Sequence, residues 1–360
     1  MFETFYFIYP LTIINLPGDL KMRNIVINGV GTIGKRVAEA VKKQEDMKLY
    51  AVADVAPNPE LKTIKKNFLK DTPLLATLES AVEDLENGGL EVQGTLEEHI
   101  DNIDLIVDAT PKGIDEKNKE NIYEPNDVKA IFQGGADKKV ADVSFNADAN
   151  YEEALGEDYV RVVSCNTTSL CRTLYEIDDS FSVNEVNVSL VRRGGDPKED
   201  SRGPINSIVP VTDVPSHHGP DVKEVMPDID ITTLAVKVPT TLAHVHMVSV
   251  EIEGEASEED IKRIFDKSTR ISLLSAEEGY TSTAKITEKM RDMHRDRNDM
   301  NEVGVWEETI TVEGDMVYWI HMTHQESIVV PETIDAIRAM LEMEENKLTS
   351  IIKTNKALGI

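Results

Sequence analysis

The chain has two cysteines, Cys165 and Cys171, in the segment VVSCNTTSLCRT. Such a pair could form a bridge, half of a metal site or part of a core, or one thiol could be a nucleophile. The residues before Cys165 end an apolar run, and residues 167–174 have a helical pattern. Cys165 is therefore expected at a helix N-terminus, where unpaired N–H groups lower a thiol pKa. This position makes Cys165 the candidate nucleophile and Cys171 a packing residue.

A glycine pattern, GVGTIG at 29–34, follows an apolar run and precedes a helical stretch. In such a turn Gly29 allows the tight bend, Gly31 lets the backbone approach a pyrophosphate, and Gly34 lets helix and strand pack closely. Asp54 ends the next apolar run, at the usual spacing of about 20 residues for a carboxylate that holds a ribose 2′-hydroxyl. The pattern predicts a dinucleotide site that favours NAD over NADP.

A parallel sheet with helices on both faces is predicted for the first part of the chain. Short apolar runs alternate there with helical stretches and end near Asp54, Asp108 and Gln133. Strands that are buried on both faces have such continuous apolar runs. We expect residues 23–163, together with 331–360, to form an N-terminal Rossmann dinucleotide-binding domain.

A different pattern begins after about residue 164. Apolar and polar residues alternate at 186–190 and 248–252, which predicts strands with one solvent-facing side, as in antiparallel sheets. Residues 164–330 are expected to form a second, α+β catalytic domain on a mostly antiparallel sheet, so that the fold class is α/β. The spacing of apolar residues at 331–352 predicts one long amphipathic helix that packs back on the first domain.

Composition limits the class of function. The 360-residue chain has 66 acidic and 38 basic residues, and its formal net charge of −28 repels polyanions, so we expect no nucleic-acid partner. No apolar run is long enough to cross a bilayer, and two cysteines make no disulfide framework, so we expect no membrane partner and a cytoplasmic location. No zinc-type cysteine spacing occurs, and no metal site is predicted. Residues 1–22 lack the features of a secretory signal and are expected to be a dispensable extension before a start at Met22, or else an extra strand or packing arm.

Several long segments resemble the glyceraldehyde-3-phosphate dehydrogenases, in particular their archaeal, type II phosphorylating branch. The resemblance runs from about residue 23 to the C-terminus and includes the signature SCNTT at 164–168. The other segments are NGVGTIGKRV at 28–37, AIFQGGAD at 130–137, VRRGGDP at 191–197, GPINSIVP at 203–210, VPSHHGPD at 214–221, VPTTLAHVH at 238–246, SAEEGYTSTA at 275–284 and HQESIVVPE at 324–332.

This resemblance implies oxidation of glyceraldehyde 3-phosphate to 1,3-bisphosphoglycerate, in glycolysis or gluconeogenesis, with inorganic phosphate and NAD(P). It also implies a cytoplasmic homotetramer. The Cys165 thiol would form a thiohemiacetal with the aldehyde and then a thioester, and His244 would be the base. The implied substrate residues are Ser164, Cys165, Asn166, His218 and Gly219, and the implied cofactor residues are Thr32, Ile33, Gly135, Arg193 and Gln325, beside the glycine turn and Asp54.

Some alternatives remain open at this stage. On a strand His244 and His246 point to the same face, so the residues alone do not say which is the base. Arg192 and Arg193 also fit exposed charges at a strand end, Arg192 more so than Arg193. A related semialdehyde dehydrogenase shares the cysteine chemistry but not the HHGPD and VRR segments, and a non-catalytic NAD-binding sensor needs neither Cys165 nor His244.

The sequence departs from the resemblance at two places. Many archaeal relatives have a Thr-Lys pair after the second strand, where this chain has ADVA at 53–56. Because Asp54 repels a 2′-phosphate, we expect NADP to be disfavoured. Ser169 stands where a glycine often follows SCNTT, and we expect this change to be minor.

Overall fold

The computed structural model describes residues 22–133 and 135–360. The extension expected for residues 1–22 therefore lies, apart from Met22, outside the described residues. Two sheets organise the described part of the chain, one entirely parallel and one mixed. The predicted α/β class is confirmed.

Within the described residues, seven strands form the parallel sheet, in the order β3-β2-β1-β4-β5-β7-β6. The strands are β1 (Arg23–Asn28), β2 (Met47–Asp54), β3 (Leu74–Ala76), β4 (Leu105–Asp108), β5 (Lys129–Phe132), β6 (Val143–Phe145) and β7 (Tyr159–Val162). The helices of this part are α1 (Gly34–Lys43), α2 (Pro59–Lys65), α3 (Val82–Asn87), α4 (Ile114–Asn118) and α5 (Ala147–Asn150). The apolar side chains of β1 belong to two core clusters, Ile25 and Ile27 to one and Val26 to the other, as expected for a strand covered on both faces.

The second sheet has eight strands in the part of the chain that the structure covers. They are β8 (Val183–Arg193), β9 (Val209–Pro210), β10 (Ile231–Val238), β11 (His244–Ile252), β12 (Ile271–Leu274), β13 (Val303–Trp306), β14 (Thr311–Glu313) and β15 (Met316–Thr323). Its pairings are antiparallel except that β8 pairs parallel with β10, and β12 with β13. Burial alternates along β11, which confirms the predicted one-sided strand. The accompanying helices are α6 (Cys165–Phe181), α7 (His218–Lys223), α8 (Glu258–Lys267) and α9 (Thr283–Asp292).

Helix α6 connects the two sheets. It begins directly after β7, with Ser164 as its N-cap, and contacts α5 of the first part as well as α7, α8 and the strands β11, β13 and β15. Its residues 165–174 are all buried. A side chain at the start of this helix is therefore held between both sheets.

The C-terminal segment differs from its prediction in one respect. It forms two helices, α10 (Val329–Met340) and α11 (Lys347–Leu358), so the single long helix expected over 331–352 is wrong. Glu342 adopts a left-handed conformation after α10, and the side chain of Asn346 caps α11 by accepting from Thr349 N–H. Helix α10 is buried along its whole length, against α1, β5 and β7, so the expected packing on the first sheet is confirmed.

The domain boundaries stay a proposal. We propose the division 23–163 plus 331–360 and 164–330, which the membership of the two sheets supports, since β1–β7 lie before residue 164 and β8–β15 lie between 183 and 323. None of the helices in the described residues is long and apolar enough to span a membrane.

Candidate active site

A cavity of about 910 Å³ lies at the carboxyl ends of the parallel strands, where the second sheet meets the first. Ligands of open α/β sheets bind at this edge. The residues that line the cavity are Thr32, Ile33, Ala109, Thr110, Pro111, Lys112, Gln133, Gly135, Ala136, Asp137, Lys138, Lys139, Arg161, Ser164, Cys165, Asn166, Arg192, His217, His218, Pro220, Asp221, His244, Gln325 and Val329. Both sheets contribute, so each supplies part of one site.

Cys165 is the first residue of α6, as predicted, but its pKa does not follow from that position alone. The pKa of the thiol is raised to about 11, because burial disfavours the thiolate more than the charges of Arg193 and Arg192 and the N–H of Asn166 favour it. The expected lowering by the helix N-terminus is therefore wrong for this state of the protein. The thiol needs a partner that removes its proton or a substrate that receives it.

Cys171 lies in the interior of α6 and is completely buried. Burial raises the pKa of its thiol, and Glu332 and Asp221 raise it further. Both cysteines are free thiols, which rules out a bridge between them. Cys171 thus has the surroundings of a packing residue.

The two strand histidines have different surroundings although they share one face of β11. His244 lines the cavity, and its Nδ1 accepts the backbone N–H of Arg193 at 3.0 Å. His246 lies deeper, and its ring contacts Asn166 and His321. The pKa of His244 is lowered to about 3 by burial and by the charges of Arg193 and Arg192, so its ring is neutral near pH 7.

Arg193 is buried beside the cavity and uses its guanidinium to connect other residues. It donates to Gln325 Oε1 at 2.6 Å and forms ion pairs with Glu326 and Asp196. Asp196 in turn accepts the hydroxyl of Thr32 at 3.3 Å, so Arg193 connects β8 to the glycine turn. Arg193 itself does not line the cavity in the described structure, whereas Gln325 and Thr32 do.

The glycine turn has the shape that a dinucleotide phosphate needs. Gly29 has a φ of 89°, which favours glycine, and a Cβ added to Gly34 would lie 1.9 Å from the carbonyl oxygen of Gly29. A Cβ on Gly31 would meet open space, so the backbone there is accessible to a ligand. Asp54 lies beside the turn and accepts the N–H of Val30 at 3.0 Å. These residues fit a dinucleotide.

Arg192 is a cation at this site that was not among the predicted site residues. It lines the cavity, is half-buried, and its buried Nε has no hydrogen-bond partner among the described residues. Burial lowers its pKa, and a thiolate at Cys165 would raise it. Arg192 is therefore not the exposed strand-end charge that the sequence left open as an alternative. The alternation of β8 could have indicated this, because it places Arg192 and Arg193 on opposite faces.

Nine of the sequence-predicted residues line the cavity: Thr32, Ile33, Gly135, Ser164, Cys165, Asn166, His218, His244 and Gln325. Within the described residues, Gly29, Gly31, Gly34, Asp54, Arg193 and Gly219 lie outside its wall. Gly219 donates its N–H to Thr233 Oγ1 at 3.1 Å, so it supports the segment that carries His218. Gly134, next to Gly135, is outside the described residues.

A parallel dinucleotide-binding sheet, joined at its ligand edge to a buried cysteine and a histidine, defines a class of nicotinamide-dependent enzymes that oxidise aldehydes through a thiol. Comparison with known proteins agrees. Residues 164–317 match the family described as glyceraldehyde 3-phosphate dehydrogenase, C-terminal domain.

Curated relatives match nearly the whole chain. The glyceraldehyde-3-phosphate dehydrogenase of Thermococcus sibiricus is 52% identical over 334 residues, 93% of this chain and 98% of that protein. The enzymes so named from Methanothermus fervidus and Methanopyrus kandleri are 48% and 50% identical, over 94% of this chain and 99% and 97% of their own lengths. The chain belongs to the glyceraldehyde-3-phosphate dehydrogenase family.

Proposed function

We propose that the protein oxidises glyceraldehyde 3-phosphate to 1,3-bisphosphoglycerate, with NAD as the hydride acceptor and inorganic phosphate as the second substrate. The observation that carries this proposal is that Cys165 of α6 and His244 of β11 line one cavity together with Thr32 and Ile33 of the glycine turn. The resemblance supports a homotetramer in the cytoplasm as part of the same proposal.

In the first step the S–H bond of Cys165 breaks, its sulfur adds to the aldehyde carbon, and the thiol proton passes to the carbonyl oxygen, on which negative charge develops in the transition state. Because Nδ1 of His244 accepts the Arg193 N–H, the neutral ring has its proton on Nε2 and is able to donate a hydrogen bond to that oxygen. The base role implied for His244 requires an unprotonated Nε2. The observed geometry therefore supports a role of Nε2–H as hydrogen-bond donor in the addition step. When bound, the nicotinamide dinucleotide supplies the hydride acceptor.

In the oxidation the thiohemiacetal loses a hydride from its carbon and the hydroxyl proton to solvent, and the carbon remains attached to Cys165 as a thioester. An oxygen of inorganic phosphate then attacks the thioester carbon, the C–S bond breaks, and its electron pair returns to the sulfur. Both the substrate and the incoming phosphate are anions. Their binding therefore requires a cationic side chain that is not already paired with a carboxylate of the protein. Arg192 supports this step, since its Nε is buried and unpaired on the cavity wall within the described structure.

The preference for NAD rests on Asp54. Its Oδ2 accepts the Val30 N–H at 3.0 Å and its Oδ1 accepts the Val55 N–H at 2.8 Å, which hold the carboxylate at the end of β2. A 2′-phosphate at this end would meet a fixed negative charge. Asp54→Asn should raise the ratio of kcat/KM for NADP to that for NAD about fivefold to tenfold, the effect of one charge at ~4 Å in water. The exposed Asp71, changed to Asn, is the matched control, and an unchanged ratio in Asp54→Asn would contradict the assignment.

The proposal is tested by following NADH formation from glyceraldehyde 3-phosphate, with and without inorganic phosphate, for the wild type and Cys165→Ser. We expect sustained turnover in the wild type only when phosphate is present, and none in the variant. Turnover that does not depend on phosphate would exclude the phosphorylating reaction. Full activity of Cys165→Ser would exclude the thiol mechanism.

A further inference from the structure

A continuous series of buried hydrogen bonds runs from three residues outside the cavity wall to two residues on it. It joins Trp319 and His321 of β15, His246 of β11, and Asn166 of α6 to His218 of α7. Trp319 Nε1 lies 3.0 Å from His321 Nδ1, and His321 Nε2 lies 2.8 Å from His246 Nδ1. His246 Nε2 lies 2.9 Å from Asn166 Oδ1, and Asn166 Nδ2 lies 3.2 Å from His218 Nε2.

The indole of Trp319 determines the direction of this series. An indole N–H only donates, so Nδ1 of His321 must accept. The proton of the neutral His321 ring is then on Nε2, which donates to Nδ1 of His246. By the same reasoning His246 has its proton on Nε2 and donates it to Asn166 Oδ1.

The direction continues to the other end of the series. Since Asn166 accepts through Oδ1, it donates through Nδ2 to His218 Nε2, and the His218 proton is on Nδ1. That Nδ1–H donates to Ser216 Oγ at 3.1 Å. Ser216 Oγ lies 2.9 Å from Thr233 Oγ1, whose own hydroxyl donates to the Ser216 carbonyl. Each bond then has one donor and one acceptor.

The three rings are neutral for the same reason. A second proton on His321 would place an N–H against the indole N–H, and a second proton on His246 would meet the N–H of His321. Burial lowers the pKa of His321 to about 3 and that of His246 far below its ordinary value, and burial also lowers the pKa of His218 to about 2. The pattern of donors is therefore fixed near pH 7.

We propose that Trp319, His321 and His246 are positioning residues that hold the Asn166 amide with its Nδ2 towards His218 and its oxygen away from the cavity. Asn166 and His218 line the cavity, and the three positioning residues do not line it in the described structure. The inference rests on the proposed function and on the substrate contact of Asn166 that the resemblance implies. An anionic substrate thus meets an N–H donor, since Nδ2 has two hydrogens and His218 takes one.

Ser169 is a second possible hydrogen-bond donor to His246 Nδ1, so a test of His321 must first remove the Ser169 hydroxyl. Its Oγ lies 2.9 Å from the Asn166 carbonyl and 3.3 Å from His246 Nδ1, so its hydroxyl is able to replace His321 as the donor to that ring. Ser169→Ala alone leaves His321 in place. We expect this variant to keep the direction of the series and nearly all of the activity, which makes it the matched background.

The experiment compares Ser169→Ala with Ser169→Ala/His321→Leu and Ser169→Ala/His321→Gln. Ring ¹⁵N NMR of histidine-labelled protein reports which nitrogen of His218 is protonated. We expect Nδ1–H in the wild type, in Ser169→Ala and in the Gln variant, because Gln both accepts from Trp319 and donates to His246. In the Leu variant the amide is free to turn, so His218 gains Nε2–H and kcat falls on the order of 10- to 100-fold.

Trp319→Phe in the Ser169→Ala background gives a second route to the same result if the Leu variant does not fold. His218 that keeps only Nδ1–H in both variants would overturn the inference, as would Nε2–H in the wild type. The tautomer is read without substrate or turnover. If the proposed function is wrong, the wild type does not oxidise glyceraldehyde 3-phosphate, but the spectra still show the expected tautomers. If the inference is wrong, the wild type is active, but the His218 tautomer does not change in the variants.

Discussion

At the scale of single residues, burial and charge compete at Cys165. The helix N-terminus and two arginines favour a thiolate, yet the thiol has a pKa near 11 because it is almost fully enclosed. Burial lowers the pKa of His244, whereas it raises that of Cys165, because in both cases the buried group prefers its neutral form. Near pH 7 the cavity wall therefore carries a neutral thiol and a neutral ring.

The raised thiol pKa predicts how Cys165 reacts in the absence of ligands. Only the thiolate is alkylated, and below the pKa its fraction rises about tenfold for each pH unit. The rate of alkylation of Cys165 by iodoacetamide should therefore rise through pH 7 to 10 without a plateau, as measured by peptide mass spectrometry. Cys171, which has no exposure to solvent, is the internal control and should stay unmodified. A plateau below pH 8 would contradict the assignment.

Arg192 gives a second prediction at this scale. Removing the charge in Arg192→Met should lower kcat/KM for glyceraldehyde 3-phosphate or inorganic phosphate about 10- to 100-fold, the usual effect of one charge-assisted hydrogen bond. Lys112→Met is the matched control. Lys112 lines the same cavity but lies 3.7 Å from Asp137 and is 64% exposed, so its loss should have less effect. Equal effects of the two substitutions on steady-state kinetics would argue against a specific role of Arg192.

At the scale of elements, buried ion pairs connect the nucleophile helix to the C-terminal helix. Arg172 of α6 lies 2.6 Å from Glu332 of α10, and Arg270, just before β12, pairs with both Glu332 and Asp335. Burial raises the pKa of Glu332, but Arg172 and Arg270 outweigh it and hold this pKa below its ordinary value. The stability that Glu332 contributes is thus present above its unfolded pKa and is lost as the pH falls through the lowered one.

Breaking this network should destabilise the whole protein. Arg270→Met leaves Asp335 and Glu332 with less compensation in the interior, and we expect it to lower the free energy of unfolding by about 3–5 kcal/mol in urea titrations near pH 7. Arg263→Met is the control, because this arginine pairs with Asp260 on the exposed face of α8. A small effect of Arg270→Met, similar to that of the control, would show that the network does not stabilise the fold.

Some elements of the fold were predictable from local sequence patterns, and others were not. Local patterns predicted the strand, glycine turn and helix around Gly34, and the start of α6 at Cys165, because these depend on neighbouring residues. The full burial of α10 depends on its contacts with α1, β5 and β7, which are distant in sequence and which apolar spacing does not reveal. The hydrogen-bond series also requires β11 and β15 to pair with His246 opposite His321, a register that one sequence does not state.

At the scale of the whole molecule, the net charge of −28 contrasts with the excess of basic residues on the cavity wall. Its wall carries the cations Lys112, Lys138, Lys139, Arg161 and Arg192 against the acids Asp137 and Asp221. A cleft of one predominant sign concentrates the field and attracts ligands of the opposite sign. The net negative charge repels polyanions at long range, while this cleft fits the small phosphorylated substrates of the proposed function.

The central claim is that Cys165 carries the substrate as a thioester between oxidation and phosphorylation. The most direct measurement is mass spectrometry of the protein mixed with glyceraldehyde 3-phosphate and NAD and quenched in acid, first without and then with inorganic phosphate. The account predicts one phosphoglyceroyl group, mapped to the peptide that contains Cys165, which disappears when phosphate is added. NADH formation with no acyl group on Cys165, or an acyl group that phosphate does not release, would contradict it.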